Sequence, residues 1–311
     1  MCLLVVLSRV VPGTPLVVAA NRDERLERPA RAMTVLRAGA PRVLGGVDEL
    51  AGGTWLAVNE RGVVAGLTNL PVLGGRDPAK RSRGELPLAL ASHGDAASAA
   101  VAVGSVRPDD YNPCWLLVGD RRSLFYVDLT GGQRPVVSAL GPGVHVLGNS
   151  PLGAPSPKVR HVQGLVAGAL ARGRAGLLDA LADVLSDHTI TSPDGDPGPG
   201  SRDGPGRVAS AAAVGGARTS GTGGAAPGDR SRGAQASATP LAVRRPETSA
   251  CCVHADEYGT RSSLLVAADG ADAKPPALAV ADGPPCRAAF ADVTALWTQG
   301  VSSGTSGAAS R

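Results

Sequence analysis

Aromatic side chains are scarce in this chain of 311 residues, at 3% for Phe, Trp and Tyr together. Lysine is nearly absent beside arginine, and no apolar run approaches the roughly 18 residues of a membrane-crossing helix. The five cysteines (Cys2, Cys114, Cys251, Cys252 and Cys286) are odd in number and include no C-x-x-C pair. That pattern argues against a disulfide framework and against a thiolate zinc site, and a reducing cytoplasm is the expected location. An excess of one charge is also missing. Lys and Arg number 31 against 27 Asp and Glu, a net charge of +4, too little for a dedicated nucleic-acid surface. The histidines His93, His145, His161, His188 and His254 show no metal-ligand spacing and read as surface or helix-end residues. The opening MCLLVVLSRVVPG has no basic residue ahead of its apolar stretch and is broken by Arg9. It is expected to be a buried first strand, not a secretory signal.

The chain has 43% hydrophobic residues, ordinary for a globular protein. Its polar low-complexity is concentrated in one place. Between Ser192 and Pro240, 34 of 49 positions are Gly, Pro, Ser or Ala, and the only large apolar residues are Val208 and Val214. Such a stretch buries too little surface to offset its ordering entropy, so 192–240 is expected to be a disordered insertion. Residues 299–311, ending SSGTSGAASR, are expected to form a flexible tail. Residues 1–298 then make one interrupted domain, with about 250 residues to build a core.

Short apolar or alternating runs mark strands at Val17–Ala20, Trp55–Val58, Val63–Thr68, Trp115–Val118, Leu124–Leu129 and Val144–Leu147. Helical spacing follows the cap and first-turn pair Ser156-Pro157 and recurs over Leu177–Leu185, with a further pair at Glu85–His93 and Ala96–Val103. Ala250–His254, Ser262–Ala267 and Ala277–Ala281 read as strands again. Gly45-Gly46 and Gly52-Gly53 bracket Asp48-Glu49, the pattern of a mobile loop, and the Arg81–Arg83 cluster reads as a solvated face. Strands, then helices, then strands predict a layered α+β architecture.

Cys2 is the residue with the most self-contained chemistry. Removal of the initiator methionine would leave a terminal cysteine whose thiol is a nucleophile and whose own α-amine is the nearest base. The amine titrates at about 7.7–8.0 and the thiol near 8.5, so proton transfer between them is nearly balanced at neutrality. A small apolar residue opening a strand would look the same. Geometry adds to the first reading. Leu3–Val10 and Leu16–Ala20 are joined by Val11-Pro12-Gly13-Thr14, a type II turn signature. Pairing Val11 with Thr14 sets Cys2 opposite Asp23, and a slip of one or two residues keeps Cys2 beside the same segment. Asn21 and Asp23 then share the face toward Cys2, while Arg22 and Glu24 share the other.

Met1-Cys2, Asn21-Arg22-Asp23-Glu24, Arg28-Pro29, Gly52-Gly53-Thr54-Trp55-Leu56, Arg61-Gly62, Leu67-Thr68-Asn69 and Arg83-Gly84-Glu85-Leu86 together resemble the NRDE family. That family takes in the transport and Golgi organisation 2 proteins of eukaryotes. Tyr111-Asn112, Leu147-Gly148-Asn149 and Tyr258-Gly259-Thr260-Arg261 continue the resemblance in order on both sides of the insertion. It implies the N-terminal nucleophile (Ntn) hydrolase fold, a four-layer αββα sandwich of two antiparallel sheets flanked by helices. It also implies that Cys2 is the nucleophile, that Asp23 orients its amine or thiol, and that Asn149 is an oxyanion-hole amide. Arg261 is implied near the nucleophile, and Asn21, Arg22 and Asn69 as substrate-contacting residues. Arg22 and Asp23 are adjacent, however, and adjacent strand residues point oppositely, so Arg22 reaches the site only if a bulge intervenes. The implied reaction is hydrolysis or transfer of an acyl group from a non-peptide amide (C–N bond) or thioester, on a small-molecule ligand and with no required cofactor. The rival expectation is a non-catalytic carrier or trafficking protein for haem or for acyl-CoA or lipid. For haem, His145, His254 and Tyr258 are the nominal axial ligands.

Overall fold

The computed structural model describes residues 2–72, 75–191, 246–271 and 274–299. The expected insertion, and the expected tail apart from Gln299, lie outside them. Strands β1 (Leu3–Ser8), β2 (Leu16–Arg25), β3 (Ala30–Arg37), β4 (Val43–Asp48), β5 (Leu56–Asn59) and β6 (Val64–Asn69) come first. Helices α1 (Glu85–Ala91) and α2 (Ala96–Val103) follow, then β7 (Cys114–Gly119), β8 (Leu124–Asp128), β9 (Val136–Leu140) and β10 (Gly143–Leu147). Helices α3 (Pro157–Ala171) and α4 (Gly173–Leu185) precede β11 (Tyr258–Ala268), β12 (Ala277–Ala281) and β13 (Ala291–Asp292).

Two antiparallel sheets result. One has six strands in the order β10-β1-β2-β11-β12-β13, the other seven in the order β3-β4-β5-β6-β7-β8-β9. Strand alternation distributes their side chains over three cores. Leu4 and Val6 of β1 join Leu16, Val18, Leu56, Val58, Trp115 and Leu117 between the sheets. Leu3, Val5 and Leu7 face the other way, onto Val162 and Val166 of α3 and Leu177, Leu181 and Val184 of α4. Ala57, Ala65, Leu116 and Val118 carry α1 and α2 on the far side of the second sheet, through Leu86, Leu90, Ala99 and Val103. The layers therefore run helix, sheet, sheet, helix, the αββα sandwich that the resemblance implies. Because β1 is covered on both faces, all six of its residues are buried, which accounts for its unbroken apolar run.

The helix starts follow local chemistry. Ser156 accepts from Val159 N at 3.3 Å ahead of Pro157, and Asp95 accepts from Ser98 N at 2.7 Å to cap α2. Ala250–His254 is not a strand. These residues form bends, and only His254 makes a bridge, to Gly259.

Candidate functional site

The hairpin that carries Cys2 closes through the expected turn, with Thr14 N donating to Val11 O at 3.1 Å. One residue later the register shifts. Arg9 takes a left-handed backbone (φ 57°) and its N–H donates to Pro15 O, leaving Val10 without a counterpart across the ladder. This G1-type bulge moves the pairing by one, to Leu3 with Asn21. The next step sets Cys2 against Arg22, not Asp23. On its other side β1 pairs Leu4 with Leu147, and the same count sets Cys2 against Asn149.

Cys2 is buried at the end of this three-strand array, with Sγ 3.9 Å from Asp23 O. Burial pushes its thiol above the ordinary range, against the pull of the terminal ammonium and of Arg22. The thiol lines a cavity of about 370 Å³, bounded also by Asp23, Trp55, Leu67 and Asn69. Among the described residues six cations line the same cavity (Arg22, Arg28, Arg76, Lys80, Arg81 and Arg83) against three carboxylates, Asp23, Glu24 and Asp48.

Arg22 does reach the site. A bulge interrupts the β2–β11 ladder between Thr260 and Ser262, with Arg261 as the extra residue. Arg22 and Asp23 both line the cavity, and Arg22 lies 4.0 Å from Glu24. Asp23 Oδ1 accepts from Thr260 Oγ1 at 2.6 Å, and Asp23 O accepts from Tyr258 OH at 2.8 Å. Asn69 lines the wall with its Oδ1 buried and without a hydrogen-bond partner among the described residues. Asn149 is behind it, donating from Nδ2 to Asn69 O at 2.5 Å.

Two expected site residues stand elsewhere. Asn21 is fully buried away from the cavity; its Nδ2 donates to Leu185 O and Cys251 O at 2.8 and 2.9 Å, and its Oδ1 accepts from Ser263 Oγ at 2.6 Å. It pins β2 and β11 to the end of α4, a structural duty. Arg261, displaced by the bulge, donates from Nη1 to Arg25 O at 3.1 Å and to Leu26 O, bracing the turn after β2, and does not line the Cys2 cavity. Among the nominal haem ligands, His145 Nε2 contacts Gly141 O at 3.0 Å, Tyr258 OH is occupied by Asp23 O, and His254 lies beside Cys252 and Cys286.

Sequence reasoning missed the rim. Arg83 is no solvated residue: its Nη1 donates to Pro113 O at 3.0 Å, and burial lowers its pKa while the Cys114 and Cys2 sulfurs act to raise it. Arg81 fits the surface reading better, paired to Glu85 at 2.5 Å and stacked 5.0 Å over Tyr111. The Gly52-Gly53 loop is tied, not loose. Asp48 accepts from Leu50 N and Ala51 N through Oδ1, Asp48 N donates to Gly53 O, and Thr54 N donates to Gly84 O at 2.9 Å. Asn112 anchors the segment bearing Arg76 and Lys80 through a reciprocal pair with Asp77, at 2.8 and 2.9 Å. The spacing of the Arg-Gly-Glu and Tyr-Asn motifs was the available signal, since each sits where a loop is fastened to the rim.

No helix among the described residues is long and apolar enough to cross a membrane. Among solved structures, the chain is similar to a Caenorhabditis elegans ortholog of N-acylethanolamine-hydrolyzing acid amidase, at TM-score 0.42 and 10% identity over 58% of this chain and 85% of that one. It is also similar to the C2A mutant of conjugated bile acid hydrolase from Clostridium perfringens, at TM-score 0.35 and 15% identity over 53% of this chain and 57% of that one. The Transport and Golgi organization protein 2 homolog of Bos taurus is 36% identical over 194 residues, 58% of this chain and 68% of that protein. The Homo sapiens homolog is 32% identical over the same shares. The model of the family Transport and Golgi organisation 2 matches residues 1–273. The chain belongs to the Transport and Golgi organisation 2 family.

Proposed function

We propose that this protein is an N-terminal-cysteine acyl hydrolase or acyltransferase acting on an anionic amide or thioester. The observation that carries the reading is the position of Cys2 Sγ, at a cavity lined by six cations and three carboxylates. Excess positive charge in a walled cleft attracts and orients an anionic substrate. Trp55 and Leu67 offer the same cavity an apolar face for an acyl chain.

The chemistry requires that Met1 be removed, so that the α-amine of Cys2 becomes the base. The thiol gives its proton to that amine and sulfur attacks the acyl carbonyl. The tetrahedral oxyanion collapses as the C–N or C–S bond breaks, and the leaving amine or thiol takes the proton back. The acyl-enzyme thioester is then released to water or to an acceptor nucleophile. Asp23 borders the reacting sulfur through its backbone carbonyl, and its side chain is held by Thr260. Asn149, which the strand count sets opposite Cys2, is the amide this reading assigns to the oxyanion, and its Nδ2 donates to Asn69 O.

A second reading is a carrier that binds the same class of ligand without turnover. It is favoured by burial, which keeps the thiol protonated in the chain that retains Met1. The described lining argues against haem. Among the described residues the cavity lining holds no His, Met or Tyr, only Cys2 as a potential axial ligand, and nine charged side chains. A phosphate-bearing acyl thioester fits the cations and the Trp55–Leu67 face together.

The test is intact mass followed by turnover of acyl-CoA thioesters and fatty-acyl amides by the wild type and Cys2→Ala. The catalytic reading expects loss of Met1 and turnover that vanishes in Cys2→Ala with the melting temperature unchanged. Retained Met1 with ligand binding equal in both proteins would establish the carrier instead.

A further inference from the structure

His188, Cys252, His254 and Cys286 come together outside the lining of the Cys2 cavity, although nothing in their spacing along the chain marks them. His188 follows α4, Cys252 and His254 lie in the bends before β11, and Cys286 is in the loop after β12. Their potential ligand atoms all lie within 4.8 Å of one another. Cys252 Sγ is 3.6 Å from Cys286 Sγ and 3.5 Å from His254 Nε2, while His254 Nε2 is 3.1 Å from Cys286 Sγ.

A tetrahedral zinc ion with Zn–S of about 2.3 Å and Zn–N of about 2.0–2.1 Å spans sulfur–sulfur edges of about 3.8 Å and sulfur–nitrogen edges of about 3.5 Å. The triangle of Cys252 Sγ, Cys286 Sγ and His254 Nε2 has nearly these edges, and the His188 ring nitrogen lies within 4.8 Å of each. All four ligands are thiolate or imidazole, the soft and borderline donors that select zinc over the oxygen-seeking cations. Four protein ligands also close the coordination shell, the mark of a structural site. Cys252 is buried while the other three are exposed, so an ion can reach the cluster from solvent.

We propose that His188, Cys252, His254 and Cys286 bind one zinc ion in a structural S2N2 site. The ion joins three chain segments, two of which also meet through Cys252 N donating to Asp187 O at 2.9 Å. What it fixes is the 250–254 segment. That segment supplies Cys251 O to Asn21 and Val253 N to Thr260 Oγ1, the hydroxyl that holds Asp23. Zinc at this place therefore stiffens the support of the β2 end without touching the cavity. His188 and Cys252 also stand on either side of residues 192–245, so the ion brings the two flanks of that stretch to one point.

The test uses the full chain, purified and kept under a thiol reductant. Elemental analysis is expected to find one zinc per chain, and a chelator is expected to lower the melting temperature. Cobalt(II) exchanged into the site is expected to give thiolate charge-transfer absorption and the intense d–d bands of tetrahedral coordination. Cys286→Ser, in an exposed loop, is expected to weaken metal affinity by at least about tenfold and to reduce the charge-transfer band, while His145→Ala changes neither. The proposal is overturned if wild type and Cys286→Ser bind equally, or if cobalt in the wild type gives the weak bands of octahedral oxygen ligation. It is also overturned if the reduced chain takes up no zinc at equimolar metal.

Discussion

Thr260 holds Asp23. Its Oγ1 donates to Asp23 Oδ1 at 2.6 Å while accepting from Val253 N at 2.9 Å, and the residue is 1% exposed. Thr260→Val keeps the volume and β-branching but removes both bonds, leaving the Val253 amide unsatisfied. The expected cost is about 1–3 kcal/mol, the usual range for stranding a buried polar group. Thr260→Ser is expected to recover most of it. Urea midpoints of the three proteins check this, and a Val variant as stable as wild type would contradict it.

Gly53 and Gly52 look alike in sequence and have similar backbones, at φ +80° and +70°. Their surroundings differ. A Cβ on Gly53 would lie 2.4 Å from the Gly84 carbonyl group, whereas one on Gly52 meets nothing within 4 Å. Gly52→Ala is expected to cost only the left-handed backbone penalty, about 1–2 kcal/mol. Gly53→Ala adds a clash with backbone that cannot rotate away, typically about 1–3 kcal/mol more. Because Gly84 continues into Arg83 at the cavity rim, the second variant is also expected to weaken ligand binding. Paired thermal melts decide the order, and equal losses would refute the close approach.

The parts of the fold legible in sequence are those where one local rule decided. The β1–β2 turn, the Ser156-Pro157 start of α3 and the short apolar runs of β6 and β7 are all found in the structure. Strands β3 and β9 were not legible: both are edge strands with little burial, and β3 adds Arg31, Thr34 and Arg37, while β9 is a five-residue run with no polar–apolar alternation. The Cys2 register failed by one residue because a bulge at Arg9 carries no glycine to announce it. Asn21 and Arg261 were misplaced for a related reason. A bulge in β11 redirects Arg261, and the pairing of Asn21 with α4 and Cys251 is tertiary, invisible to a strand-alternation argument. The His188–Cys286 cluster was illegible because its ligands come from three segments far apart in the chain.

Asn21 and Asn69 sit in motifs that read alike yet have opposite duties. Asn21→Ala removes two buried donors and one acceptor that join β2, α4 and the 250–254 segment. A loss of roughly 2–4 kcal/mol is expected, since each stranded group costs about 1–3 kcal/mol. Asn69→Ala keeps the backbone carbonyl that Asn149 uses and deletes an amide facing the cavity. It is expected to change stability by under about 1 kcal/mol and to reduce ligand affinity. Denaturation and equilibrium binding of both variants separate the two roles, and the reverse pattern would make Asn21 the ligand contact.

Arg28 and Asp48 give the cavity wall a pH dependence. Burial alone would raise the Asp48 carboxyl, but the Arg28 hydrogen bonds and the Ala51 and Leu50 amides outweigh it and hold the group below the usual carboxylate range. The pair is close, at 2.7 Å, and both side chains are largely shielded, at 16% and 20% exposure. A folded-state pKa below the unfolded value of about 3.9 stabilises the fold fully above that value. The contribution is lost as pH falls through the folded-state value, because the protonated carboxyl gives up its charge-assisted bonds. Wild type is therefore expected to lose stability on acidification below about pH 4 more steeply than Asp48→Asn, which lacks the titrating group and starts lower. Urea midpoints measured across that window test the sign: converging profiles support the Arg28–Asp48 tie, and parallel ones would show that Asp48 contributes nothing to the acid limb.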